Sequence, residues 1–214
     1  MQHKLNKKEI LLFIKDLLKH PLFYILIVLF IADIVSKWVI ASHFNFIAGQ
    51  SITLIPGFLI IELVYNEGAI GGLGGNLAGR IIFIIIRAII VFGAPIVYFY
   101  KHDNLKKSYK ICLGLIYVGA IGNFIDSTFY WKGITPFSGV IDFINHPWFK
   151  IGTYNFADAY ITIGVFLIII LFIIDEIKEI RIKNRQGAYS LTPEEYEKRL
   201  AEQNKKENGY SNKK

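Results

Sequence analysis

The side chains of this chain that can do chemistry are few and acidic. Asp33, Asp126, Asp142 and Asp158 each stand in or beside a stretch that is otherwise apolar. A charge at mid-depth in a bilayer costs about 2.5–3.5 kcal/mol unless it is compensated, so each needs a reason to be there. The long apolar runs carry no histidine, because His43, His102 and His146 fall in the connections, so a histidine zinc site is not assembled. The lone Cys112 excludes an intrachain disulfide and a cysteine metal site, and reads as a small packing residue. Ser127 and Ser138 have no placed histidine or lysine to activate them. The simplest chemistry left is two carboxylates sharing one proton and holding a water between them. One acts as base and the other as acid, and an amide is hydrolysed with neither metal nor cofactor.

The neighbours of these aspartates are informative. Asp33 and Lys37 are four apart, hence on one helix face, and an ion pair that makes a charged helix end tolerable is favoured over a catalytic role. Gly119, Gly122, Asn123 and Asp126 share a face at separations of three, four and seven, a packing face that also presents polar groups. Asn155 is a good helix cap, and Asp158, three residues on, sits in the first turn, where the helix dipole favours its ionised form. Asp142 lies within the apolar run Gly139-Val140-Ile141-Asp142-Phe143-Ile144. Arg87 lies one heptad from Arg80, with snorkelling and a carboxylate partner both open.

The elements that position these residues follow from hydropathy. The 214 residues are 53% hydrophobic with mean hydropathy +0.42. The apolar residues gather into runs of about 20, enough to cross ~30 Å of hydrocarbon. Windows 21–40, 81–100, 111–130 and 155–174 are the four expected spans. A disordered chain is excluded by this apolar content, and the net charge of +7 does not indicate nucleic acid, since the basic residues lie at membrane ends. Lys4, Lys7, Lys8, Lys15 and Lys19 precede the first span, four lysines lie between spans two and three, and ten Lys or Arg follow Asp175, whereas connections 41–80 and 131–154 hold only Arg80, Lys132 and Lys150. Both termini are therefore expected in the cytoplasm and the two long connections outside. The first span is read as retained, because its apolar run is too long for a cleaved leader and no prompt small-x-small site follows.

The expected fold is a membrane all-α bundle of four transmembrane helices with a small extracytoplasmic β-sheet subdomain. Residues 1–20 form a cytoplasmic amphipathic lead, 21–174 the four-span membrane domain, and 175–214 a charged cytoplasmic tail with a helix start at Thr192-Pro193-Glu194-Glu195. The β subdomain is placed at about 41–80, where two β-prone runs flank Pro56-Gly57. The glycine-rich stretch after it, Gly68 to Gly79, lacks the lysine and hydroxyl of a phosphate loop.

Five boxes occur in order: Asp33-Ile34-Val35-Ser36-Lys37; Asn66-Glu67-Gly68-Ala69; Gly119 through Asp126; Gly139-Val140-Ile141-Asp142-Phe143; and Tyr154-Asn155-Phe156-Ala157-Asp158. Together, over roughly residues 20 to 175, they resemble the lipoprotein signal peptidases, the type II signal peptidases of bacteria, which are aspartyl peptidases. The resemblance implies a catalytic pair Asp142 and Asp158, with Asn66, Gly68, Asn123, Asp126 and Asn155 around it and Asp33 with Lys37 as a structural pair. It implies cleavage of a prolipoprotein before a diacylglyceryl-modified cysteine, at the outer leaflet face of the bacterial cytoplasmic membrane. The expected partners are that substrate and membrane lipids, and the expected state is a monomer. Ser127 departs from the family, which carries arginine there, and both the 126–142 interval and the tail are longer than the family's. The alternative is a small ion- or proton-coupled transporter subunit, which would spread its acids across membrane depth and often break helices at mid-plane. A non-catalytic scaffold would tolerate loss of Asp142, which has no structural excuse as a lone carboxylate among apolar residues.

Overall fold

The computed structural model describes residues 7–67, 77–130, 135, 138–149, 151–189, 192, 194–198 and 200–202. Helix α1 (Lys7–Lys19) is followed by α2 (Pro21–His43), α3 (Leu77–Lys101), α4 (Lys107–Phe129) and α5 (Phe156–Tyr189). The last four are each long and apolar enough to cross a membrane. Strands β1 (Ser51–Ile55) and β2 (Leu59–Asn66) lie between α2 and α3, and β3 (Val140–Asn145) and β4 (Thr153–Tyr154) between α4 and α5.

Helix α4 is the most enclosed, with Val118, Gly119, Ala120, Gly122, Asn123, Asp126 and Ser127 buried. Its glycines set the spacing. A Cβ on Gly119 would lie 2.3 Å from the Ala157 carbonyl oxygen of α5, and one on Gly122 would lie 2.4 Å from Asp33 Oδ2 of α2. Only hydrogen fits at either position, so α2 and the start of α5 come close enough to present polar groups to α4.

The four strands form one antiparallel sheet in the order β1-β2-β3-β4. The hairpin joining β1 and β2 turns at Pro56-Gly57, where Gly57 adopts φ +71°, a left-handed conformation that glycine takes without steric penalty. Val64 pairs with Asp142 and Asn66 with Val140, so the register of β2 on β3 fixes Asp142 beside the end of β2. Ala41, Phe44, Leu63, Tyr130 and Ile141 form a buried apolar cluster that seats the sheet on the ends of α2 and α4. Trp38 donates from Nε1 to the Tyr130 hydroxyl at 2.9 Å and extends that contact.

Two features differ from the sequence reading. The sheet is not confined to 41–80, since β3 and β4 come from the second long connection. The run around Asp142 is a strand whose first four residues are all buried, which hides the alternation that marks a half-exposed strand. Helices α3 and α5 also overrun their windows. After residue 174 the chain enters a charged but helix-favouring stretch, where Glu179 and Lys183 pair at 2.7 Å one turn apart, so α5 continues to Tyr189. Contacts divide the chain into two compact units, Met1–Ile168 and Ile169–Lys214. In the second, Thr192 Oγ1 accepts from the Glu195 N–H (3.3 Å) and Glu195 Oε2 from the Thr192 N–H (3.0 Å), the capping box expected there. Gly68, with most of the glycine-rich stretch and half of the 127–138 interval, lies outside the described residues.

Candidate active site

Four elements bring the acids together, and their partners divide them into two pairs. Lys37 of α2 is fully buried, with Nζ 2.7 Å from Asp33 Oδ2 and 2.9 Å from Asp126 Oδ2. It also donates to Asn123 Oδ1 at 3.2 Å. Both carboxylates are also used structurally. Asp33 accepts the Ala157 N–H at the start of α5 on its other oxygen, Oδ1 (2.9 Å), and Asp126 Oδ2, the oxygen that meets Lys37, also accepts the Ile141 N–H of β3 (3.4 Å). This triad ties α2, α4, α5 and β3 into one framework. A buried ion pair rarely adds net stability, but removing one member strands charge in a low dielectric.

Asp142 and Asp158 stand outside that triad and touch no lysine or arginine among the described residues; amides hold them. Asp142 Oδ2 accepts from Asn66 Nδ2 (3.0 Å) and Oδ1 from Asn155 Nδ2 (2.7 Å). Asp158 Oδ1 accepts from Asn123 Nδ2 at 2.7 Å. Asn155 and Asp158 also cap α5 reciprocally: the Asp158 N–H donates to Asn155 Oδ1 (3.0 Å) and the Asn155 N–H to Asp158 Oδ2 (3.2 Å). Asn155 is fully buried and reaches Asn123 Oδ1 (3.1 Å) and the Ile141 carbonyl (3.2 Å) as well, so it bridges the two carboxylates. Asn123 and Asn155 are each oriented by further contacts, and the carboxylates they hold therefore have fixed positions.

Burial, and after it the charge of Asp158, push the Asp142 carboxyl up to about 7, against the Asn66 and Asn155 donors and the more distant Lys37 charge. A carboxyl that is 2% exposed and half-protonated near neutral pH is suited to giving up and recovering a proton. Asp158, in the first turn of α5, is only partly buried. The two acids thus differ in environment, which is the arrangement that separates acid from base.

Ser127 stands where the resemblance implies an arginine, and the guanidinium at this corner comes from another helix. Ser127 turns its hydroxyl back onto the Asn123 carbonyl (2.7 Å). The guanidinium there belongs to Arg80 of α3, 5% exposed, which donates to the carbonyls of Ser127 (3.2 Å) and Tyr130 and to the Ser138 hydroxyl. Glu67 Oε1 lies 3.8 Å from it. This clasp holds the end of α4 to the segment entering β3. Sequence spacing leaves Arg80 and Arg87 both open as the partner beside Ser127, and the packing of α3 against α4 selects Arg80. The sequence also gave no sign that Lys37 serves Asp126 as well as Asp33, since the two carboxylates are 93 positions apart in the chain.

Comparison with known proteins bears on the same region. Residues 25–174 match the family model described as signal peptidase (SPase) II. The lipoprotein signal peptidase of Listeria monocytogenes is 32% identical over 166 residues, 76% of this chain and 100% of its own. That of Staphylococcus carnosus is 35% identical over 160 residues, 72% of this chain and 91% of its own. Two solved structures, each titled a bacterial membrane enzyme, superpose with TM-scores of 0.60 and 0.57 at 33% and 34% identity, covering 72% and 71% of this chain and 88% and 91% of theirs. These matches do not favour the transporter alternative. The chain belongs to the signal peptidase II family, multi-pass membrane peptidases that cleave signal peptides from prolipoproteins.

Proposed function

We propose that this peptidase is an aspartyl enzyme in which Asp142 and Asp158 act on the prolipoprotein bond preceding a diacylglyceryl-modified cysteine. The observation that carries the reading is the division of the acids: Asp33 and Asp126 share the Lys37 ammonium, whereas Asp142 and Asp158 are bridged only by neutral amides. Two carboxylates in such a setting share a proton between them.

Asp158 serves as the base and Asp142, with its raised pKa, as the acid. Water attacks the scissile carbonyl carbon and loses a proton to Asp158, while the Asp142 proton passes to the carbonyl oxygen. The tetrahedral diol then collapses. Asp158 gives its proton to the departing nitrogen, the C–N bond breaks, and a hydroxyl proton returns to Asp142. The products are a signal peptide ending in a carboxylic acid and a lipoprotein with a free cysteine amine, and the dyad is restored. Asn66, Asn123 and Asn155 hold the carboxylates, and Arg80 and the Lys37 triad hold the elements that carry them.

The excess of basic residues in the N-terminal lead, the 101–110 connection and the tail supports a reading with both termini in the cytoplasm and the sheet end of the bundle at the outer leaflet. The scissile bond of a lipid-anchored substrate lies at that level, with its acyl chains remaining among the membrane lipids. All the named side chains come from one chain, which suits a monomer. The pH dependence of kcat/KM in detergent tests the mechanism. A shared-proton dyad gives a bell whose limbs belong to the pair, and a rate that is flat from pH 4 to pH 9 would rule it out.

A further inference from the structure

One charged side chain in the bundle serves neither the triad, nor the dyad, nor the clasp made by Arg80. Arg87 of α3 is half-buried and lies two turns beyond Arg80 on the helix face that packs against α4. Its depth is bracketed by contacts on either side. Arg80 meets Ser127, and the Val91 carbonyl accepts from the Tyr117 hydroxyl at 3.1 Å, so Arg87 lies opposite the part of α4 that carries Asn123. Its guanidinium is 6.0 Å from the centre of the Phe83 ring, and among the described residues it donates no hydrogen bond and closes no ion pair. It is within electrostatic reach of Asp158, Asp142 and Asp126. A guanidinium carries five N–H donors and cannot lose its charge, so leaving it unpartnered in a span is costly. The cost is justified if the partner arrives with the substrate.

The substrate supplies the complementary group. A signal peptide crosses as a helix whose C-terminal end comes to the cleavage site. The last four carbonyls of a helix have no partner within it and carry the negative end of its dipole. In hydrocarbon no water satisfies them. We infer that Arg87 is a substrate-anchoring residue that caps the C-terminal carbonyls of the bound signal helix and so presents the following peptide bond to the dyad. This rests on the aspartyl reading for the position of the scissile bond. A fork of parallel N–H groups suits two adjacent carbonyls better than a point charge does.

The test uses the full chain in nanodiscs. A synthetic signal peptide ending in a C-terminal amide and labelled at its N-terminus is titrated into Asp142→Asn protein and into the same protein carrying Arg87→Gln. A charge-assisted hydrogen bond lost from a dry site predicts a Kd about tenfold weaker. On the otherwise native enzyme, Arg87→Lys keeps the charge and loses the fork, and its KM for prolipoprotein is expected to rise about threefold at unchanged kcat and an unchanged pH profile. Unchanged Kd in Arg87→Gln overturns the inference. So does a full return of KM in Arg87→Lys, which would make Arg87 a charge acting on Asp158. An Arg87→Gln effect that follows the phospholipid content of the disc and not the peptide would assign the site to a lipid phosphate and also overturn it. Cleavage by the native enzyme and by Asp142→Asn and Asp158→Asn is read in the same preparations, so failure of the aspartyl reading shows separately from failure of this one.

Discussion

Replacing Asp142 with asparagine is expected to abolish cleavage and, above neutral pH, to stabilise the protein. Folding raises this carboxyl from its ordinary 3.8 to about 7, chiefly through burial and then through the charge of Asp158. Below pH 4 the group is protonated whether folded or unfolded, and no penalty applies. Between pH 4 and 7 the unfolded chain releases a proton that the folded protein retains, so wild-type stability falls as pH rises. Each pKa unit is worth 1.36 kcal/mol, so roughly three units amount to about 4 kcal/mol by pH 7. Asparagine removes that penalty but presents an amide nitrogen to one of the two donors, Asn66 or Asn155, that now point at carboxylate oxygens, at a cost of about 1 kcal/mol. The variant should therefore be the more stable by about 2–3 kcal/mol at pH 8, or roughly 5–10 °C in Tm. At pH 4 it should be slightly less stable than wild type. Cys112, the one cysteine in the chain and buried in α4, supplies the assay, because a thiol-reactive fluorophore reports when the bundle opens on heating. Parallel Tm-versus-pH curves for the two proteins, or a lower Tm for the variant at pH 8, would refute the assignment of this penalty to Asp142.

Lys37→Met leaves Asp33 and Asp126 buried without a cation, and a loss of about 3–5 kcal/mol is expected; the same thiol assay should show early opening of the bundle, and a wild-type Tm would mean the triad is not the framework. Gly119→Ala places a Cβ against the Ala157 carbonyl, a backbone atom that cannot rotate away, and so displaces the turn carrying Asp158. A displacement on the order of 1 Å lowers kcat by about 10²-fold, and steady-state kinetics on folded protein that give an unchanged kcat would show that the α4–α5 spacing does not set the dyad.

Much of this was legible because membrane chemistry leaves few alternatives. Twenty apolar residues in a row have one stable solution, so the four spans follow from hydropathy. A carboxylate in such a setting needs a reason, and that requirement singled out Asp33, Asp126, Asp142 and Asp158. Asn155 and Asp158 were readable as a helix start, and they do form one, while the same contacts orient Asp158. Less was visible where partners are distant in sequence. Strand β3 is buried on both faces and carries no alternation, so its pairing with β2, which places Asn66 on Asp142, had no local mark. The second role of Lys37 and the choice of Arg80 over Arg87 as the clasp beside Ser127 depend on how α2, α3 and α4 face one another, which spacing within one helix does not encode.

The central claim is that Asp142 and Asp158 together perform the hydrolysis. It is tested most directly by offering a diacylglyceryl-modified prolipoprotein to purified wild type, Asp142→Asn and Asp158→Asn, each shown to be folded, and sequencing the product's N-terminus. Wild-type product should begin at the lipidated cysteine, and both variants should fall by about 10³-fold or more. Substantial cleavage by either folded variant would contradict the account and place the chemistry elsewhere in the bundle.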